Sequence, residues 1–198
     1  MYTDVNVQEW PAGFVILATG DSIYGSIAYH CKEDIIKVVQ EDGTISSFSP
    51  VNVHHFVVIN TYTGFRQLFR TYYWDQGKEF TDFKKPTFFE QLNDGKLTLI
   101  MREVFVQRNA NNATEYSRYG KVYDSMSNPQ GYFADEVRPL FYIVMPDGDI
   151  KTLKNIRKDL YRLFGNKTDQ IKKYIRKNKL DFDEPHQLAA IVNYYNSL

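Results

Sequence analysis

The sequence predicts an α+β protein: a small antiparallel β-barrel or sandwich followed by a short helical C-terminal region. Three observations carry that expectation. Aromatic residues make up 16% of the 198 residues, with 15 Tyr and 14 Phe, and aromatic side chains favour strands. Short apolar runs joined by Asp-Gly and Gly-Asp turns recur through residues 1–150. Beyond residue 150 the pattern changes to a helical period rich in Lys, Leu and Ile. The predicted organisation is therefore a β-rich region, 1–153, carrying a long Tyr-rich loop at 107–139. A basic region of two or three helices, 154–198, docks on it.

Each element follows from local chemistry. Residues 14–19 and the run from Ile23 through Tyr29 flank Gly20-Asp21-Ser22, a hairpin pattern. A second hairpin joins 35–40 to 44–48 through Asp42-Gly43, and Pro50, which cannot donate to a ladder, ends it. Strands are expected again at 53–59 and 65–74. Thr87 as a cap, Phe88 and Leu92 four apart, and Gly95 as a stop predict one or two turns of helix over 87–95. Strand composition returns at 97–106, and a third hairpin joins 140–145 to 150–153 through Asp147-Gly148.

Helices are expected where Leu153, Ile156, Leu160, Leu163 and Phe164 share a stripe, and after Thr168 as N-cap, with Ile171, Tyr174 and Ile175 on one face. A third begins at Asp183-Glu184-Pro185, with Pro in the first turn, and carries Leu188, Ile191, Val192 and Tyr195.

Several function classes lose support at once. The single Cys, Cys31, cannot form an intrachain disulfide or a multi-cysteine metal site. No apolar run is long enough for a membrane helix. Neither a dinucleotide fingerprint nor a P-loop occurs, and no His pair has helical metal-ligand spacing, so no cofactor and no metal is expected. Asp181-x-Asp183-Glu184 has only part of a calcium loop and reads as an acidic helix start. On regular strands adjacent residues point to opposite faces, so His30 cannot serve Cys31 and His54 cannot pair with His55. A cross-strand meeting of Cys31 with His54 or His55 stays open.

Two surfaces are candidates for binding. The first is aromatic: Tyr72 and Trp74 on a strand, and Tyr116, Tyr119, Tyr123 and Tyr132 in the polar stretch 107–139. Rings supply area and hydroxyls supply direction, which suits a small ligand or a protein partner. The second is cationic. Residues 151–198 hold 11 Lys/Arg against 5 Asp/Glu, while the whole chain is neutral. Lys154, Arg157, Lys158, Arg162, Lys172, Lys173 and Arg176 are candidates for anion binding, although a solvated helix face has the same composition. No nucleic-acid motif accompanies the charge, which argues against a nucleic-acid partner.

A resemblance adds to this reading. Gly13-x-Val15-Ile16, Gly20-Asp21 and Gly25-x-Ile27-x-Tyr29 are followed by Phe48-Ser49-Pro50-x-x-Val53, Phe88-x-x-x-Leu92-x-x-Gly95-Lys96-x-x-Leu99 and Leu188 through Tyr194-Tyr195-Asn196. Together these resemble a family of uncharacterised, usually exported bacterial proteins. The matched positions are turn glycines and core residues, so the resemblance implies an envelope location and no catalytic residue. The N-terminus Met1-Tyr2-Thr3-Asp4-Val5 lacks a basic n-region and an apolar h-region. An exported protein would therefore have an apolar leader encoded upstream of Tyr2; otherwise the location is cytoplasmic. The expected function is non-enzymatic binding of a ligand or partner protein through aromatic loop surfaces. The alternatives are a hydrolase-type enzyme whose site is invisible in sequence, and binding of nucleic acid or anionic membrane by the basic helices.

Overall fold

The computed structural model describes residues 7–77, 83–109 and 133–198. The chain divides into two compact units, Met1–Arg102 with Leu140–Leu198, and Glu103–Pro139. Ten antiparallel strands form one open sheet. They are β1 (Val7–Leu17), β2 (Ser22–His30), β3 (Ile35–Val39), β4 (Ile45–Phe48), β5 (Val53–Ile59), β6 (Arg66–Trp74), β7 (Lys85–Gln91), β8 (Thr98–Asn109), β9 (Phe133–Val144) and β10 (Ile150–Thr152). Their order is β10-β9-β8-β7-β6-β5-β1-β2-β3-β4. Three helices follow: α1 (Ile156–Phe164), α2 (Thr168–Asn178) and α3 (Pro185–Asn196). The α+β expectation holds, with the sheet open rather than closed: no ladder joins β4 to β10 among the described residues.

The first five strands nonetheless coil. A single-turn 3-10 segment, Pro50–Asn52, links β4 to β5. In the sheet order β3, β2 and β1 lie between those strands, a gap of about 19 Å if the sheet were flat. Residues 49–52, mostly in tight 3-10 form, bridge only about 13 Å. The sheet must therefore curl to bring the end of β4 to the start of β5. Gly25 permits it: a Cβ there would strike the Val39 carbonyl of β3, so only a glycine lets the strands approach so closely.

Alternation in β3 shows how the core is built. Ile36 and Val38 are buried while Lys37 and Val39 are exposed. The inner face gathers Val15, Ile27, Tyr29, Phe56, Val58, Phe69 and Phe88, with Phe56 stacked on Phe69 at 4.6 Å. Further along, Leu97, Leu99, Met101, Phe141 and Ile143 meet Leu160, Phe164, Ile171, Leu188, Ile191 and Val192 of the helices. The helical stripes read from the sequence are thus core stripes, except for Tyr174, which stacks on Tyr194 at 4.0 Å.

The predicted helix at 87–95 is wrong. Residues 85–91 are strand β7, with Phe88 and Phe89 both fully buried on opposite faces. Phe88 joins the inner core and Phe89 a second cluster with Ile100 and Tyr142, a demand that only a strand buried on both faces meets. Thr168 is not the N-cap of α2, which is Lys167; the Thr168 hydroxyl instead donates to the Tyr161 carbonyl at 2.9 Å. Strand structure covers both ends of the predicted loop 107–139, through Asn109 and from Phe133. Tyr116, Tyr119, Tyr123 and Tyr132 lie outside the described residues.

Asparagines fasten α3 to the β7–β8 connection. Asn196 accepts from Leu97 N–H at 3.0 Å and donates to the Leu97 carbonyl at 2.9 Å. Asn93, buried, accepts from Leu99 N–H at 2.5 Å and donates to Asn193 Oδ1 at 3.0 Å. A Cβ on Gly95 would fall 2.6 Å from Asn196 Nδ2. The two distant sequence pieces around Gly95 and Tyr194-Tyr195-Asn196 therefore meet in space, and they meet for structural reasons.

Candidate functional site

Strand β6 places Arg70, Tyr72 and Trp74 on one face, because side chains two apart share a face. Phe89 lies opposite Arg70 in β7, and Tyr142 comes from β9. Edge-on contacts tie the rings: Trp74 to Phe89 at 5.4 Å, Trp74 to Tyr142 at 5.3 Å, and Phe89 to Tyr142 at 5.2 Å. Tyr72 meets Phe89 at 6.1 Å and its hydroxyl donates to Gln91 Oε1 at 2.9 Å. Burial holds the Tyr72 and Tyr142 phenols above their ordinary pKa. Two of the predicted aromatic residues, Tyr72 and Trp74, are thus brought together, half-buried in a shared cluster rather than spread on an open platform. The Trp74 indole Nε1 is buried and has no acceptor among the described residues.

Along the same face the structure corrects the histidine reading. Ile16 of β1 lies opposite His55, but Leu17 lies opposite Val53, so His54 is an extra residue in β5. Such a bulge puts two consecutive side chains on one side of the strand. The His54 and His55 Nδ1 atoms approach to 2.7 Å, which requires one to donate and the other to accept. The Thr71 hydroxyl donates to the Val53 carbonyl at 2.6 Å beside the bulge. Partial burial, His54 and the Arg70 guanidinium together push the His55 pKa down. Arg70 stands opposite His55 in the β5–β6 register, and its buried Nε finds no acceptor among the described residues.

A third cluster is internal. Asp34, in the β2–β3 turn with a left-handed φ of 59°, is buried at 4% exposure. Its Oδ1 accepts from the Tyr29 hydroxyl at 2.8 Å, and Arg102 NH1 reaches both carboxylate oxygens at 3.4 Å. Arg102 also donates to the Phe88 carbonyl at 3.2 Å and the Cys31 carbonyl at 3.5 Å. Burial drives the Tyr29 phenol far above its ordinary pKa, so it stays a donor. Cys31 is buried, with Sγ 3.8 Å from the Tyr29 carbonyl.

The cationic candidates lie on α1, on α2 and just before α1. Lys154, Arg157, Lys158, Arg162, Lys173 and Arg176 are exposed and Lys172 is half-buried. Arg157 covers the Phe182 ring at 5.0 Å and Lys172 covers Tyr161 at 5.2 Å. Lys172 also pairs with Asp169 at 3.6 Å, and Arg176 Nε donates to the Lys172 carbonyl at 3.3 Å. Two of the seven are thus engaged with rings, their stems serving the helix packing. Among the described residues no three His, Cys, Asp or Glu side chains group as metal ligands. No helix among them is long and apolar enough to cross a membrane.

No family model, curated protein or solved structure matches this chain.

Sequence reasoning missed the His54–His55–Arg70 group and the Tyr29–Asp34–Arg102 cluster. A signal for the first exists: Val53 and Phe56 are apolar three apart in a strand, which breaks the two-residue period and marks a bulge. For the second there is none, since 68 residues separate Asp34 from Arg102.

Proposed function

We propose that this is a non-enzymatic binding protein that takes a ligand, or a partner's side chain, carrying a flat apolar group and a hydrogen-bond acceptor at the Trp74 face. One observation carries the reading: the Trp74 N–H is buried inside a cluster of rings without an acceptor among the described residues. An unmade hydrogen bond of this kind costs roughly 1–3 kcal/mol, which an acceptor from outside would recover. Location in a bacterial envelope belongs to the same proposal and is supported by the sequence resemblance alone. The curl of β1–β5 supports a barrel-like description of that part.

The chain has two tryptophans, and Trp10 already donates to Gln67 Oε1 at 3.2 Å. A Trp10→Phe variant leaves Trp74 as sole reporter. Titrating it with methyl benzoate, a ring bearing one acceptor, should change its emission saturably, whereas Trp74→Phe should show no saturable response. A linear, non-saturating response in both variants would defeat the proposal.

A further inference from the structure

We propose that His54, His55 and Arg70 form a binding site for a phosphate group. The bulge in β5 turns both imidazoles to one side, and the cross-strand register sets Arg70 opposite His55. No carboxylate lies within ion-pair distance of Arg70 among the described residues, and its buried Nε makes no hydrogen bond. A half-buried guanidinium with no carboxylate at ion-pair distance among the described residues is an arrangement that an anion relieves.

The neighbouring side chains agree. From β1 come the apolar Ile16, opposite His55, and Phe14, whose ring stands edge-on to His55 at 6.4 Å. Strand β6 supplies Arg70 and, two residues on, Tyr72. Asp94 acts on Tyr72 but is not among the groups shifting His55, which are burial, His54 and Arg70. The site thus gathers one permanent cation and a histidine pair able to take up another proton. A phosphate monoester carries a charge of about −1.5 to −2 at neutral pH and three acceptor oxygens, whereas a carboxylate supplies one charge. One permanent cation together with a second positive charge that the dianion itself would induce on the histidines favours phosphate. Its binding favours the imidazolium, so it should raise the His55 titration midpoint from its depressed position. This site stands on residues other than Trp74, so either reading can fail alone.

The test uses the full chain and follows the ring C–H resonances of its four histidines, His30, His54, His55 and His186. Two probes separate the sources of phosphate: glycerol 3-phosphate, and phosphatidylcholine vesicles containing phosphatidic acid. Glycerol 3-phosphate should shift the His54 and His55 signals saturably while leaving His30 and His186 in place, and should raise the His55 midpoint. Binding confined to the phosphatidate vesicles, and lost with Arg70→Gln, would assign the group to a lipid headgroup. Arg70→Gln should weaken binding about tenfold or more, with Arg70→Lys intermediate, because the planar fork is lost but the charge kept. His54→Gln, at an exposed position, tests the site should the Arg70 variant not fold. The proposal is overturned if neither probe moves the His54 and His55 signals or binds with dependence on Arg70. Equal affinity of His54→Gln and the intact chain overturns it too.

Discussion

Replacing Arg102 by Met tests what holds the β2–β3 turn to β8. The methionine keeps an unbranched stem beside Phe89, over which the guanidinium now sits at 5.5 Å, and removes the charge. Left behind is the Asp34 carboxylate, 5% exposed, with the Tyr29 hydroxyl at 2.8 Å as its remaining side-chain donor. The Phe88 and Cys31 carbonyls lose a donor as well. Removing one partner of a buried ion pair costs roughly 3–5 kcal/mol. The 3.4 Å contacts are long, so the expected loss is about 3 kcal/mol, or about 6–12 °C in Tm for a chain of this size. Urea unfolding read by circular dichroism measures it. The companion variant is Asp34→Asn with Arg102→Met, which removes both charges. Asn accepts the left-handed backbone at position 34, so the double variant should recover to within about 1 kcal/mol of the parent. A single variant within about 0.5 kcal/mol of the parent would refute the reasoning. So would a double variant less stable than the single one.

Asn196→Ala should lower stability by about 1–3 kcal/mol, because the buried Leu97 N–H loses its acceptor. Hydrogen exchange should accelerate at the Leu97 amide, and an unchanged rate there would contradict the fastening role of α3. The tyrosine shifts predict an alkaline transition. Tyr72 and Tyr142 titrate above the ordinary value of 10.0 when folded, so the unfolded chain releases its phenolic protons first. Stability should be level below about pH 10 and fall as pH rises through the folded values, as urea unfolding across that range would show.

Much of the sheet was legible because its signals are local. Asp42-Gly43 and Asp147-Gly148 both close hairpins: Gly43 N–H donates to the Gln40 carbonyl and Gly148 N–H to the Met145 carbonyl. Pro185 sits in the first turn of α3, where its position in the sequence put it. What escaped depends on partners far along the chain. Phe88 and Phe89 have a helix-compatible pattern with Leu92, and only the two cores they enter, one on each face, decide for strand. The rule that separates adjacent strand side chains failed at His54 because a bulge suspends it. Trp74 was identified as aromatic surface, but its unpaired N–H is visible only once its neighbours are placed.

The strand order has a kinetic meaning. β1 to β4 is one run of neighbouring hairpins and β5 to β10 is another, so nearly every pairing is between elements adjacent in sequence. The exception is β1 against β5, where Leu17 must find Val53 across the whole first meander. Loop closure over that span has to occur before its contacts can repay it. The seam between the meanders should therefore form late, and folding rates of variants in β1 and β5 measure it. It passes through the strand that carries the two histidines, so the bulge at His54 also sets the register in which the halves of the sheet join.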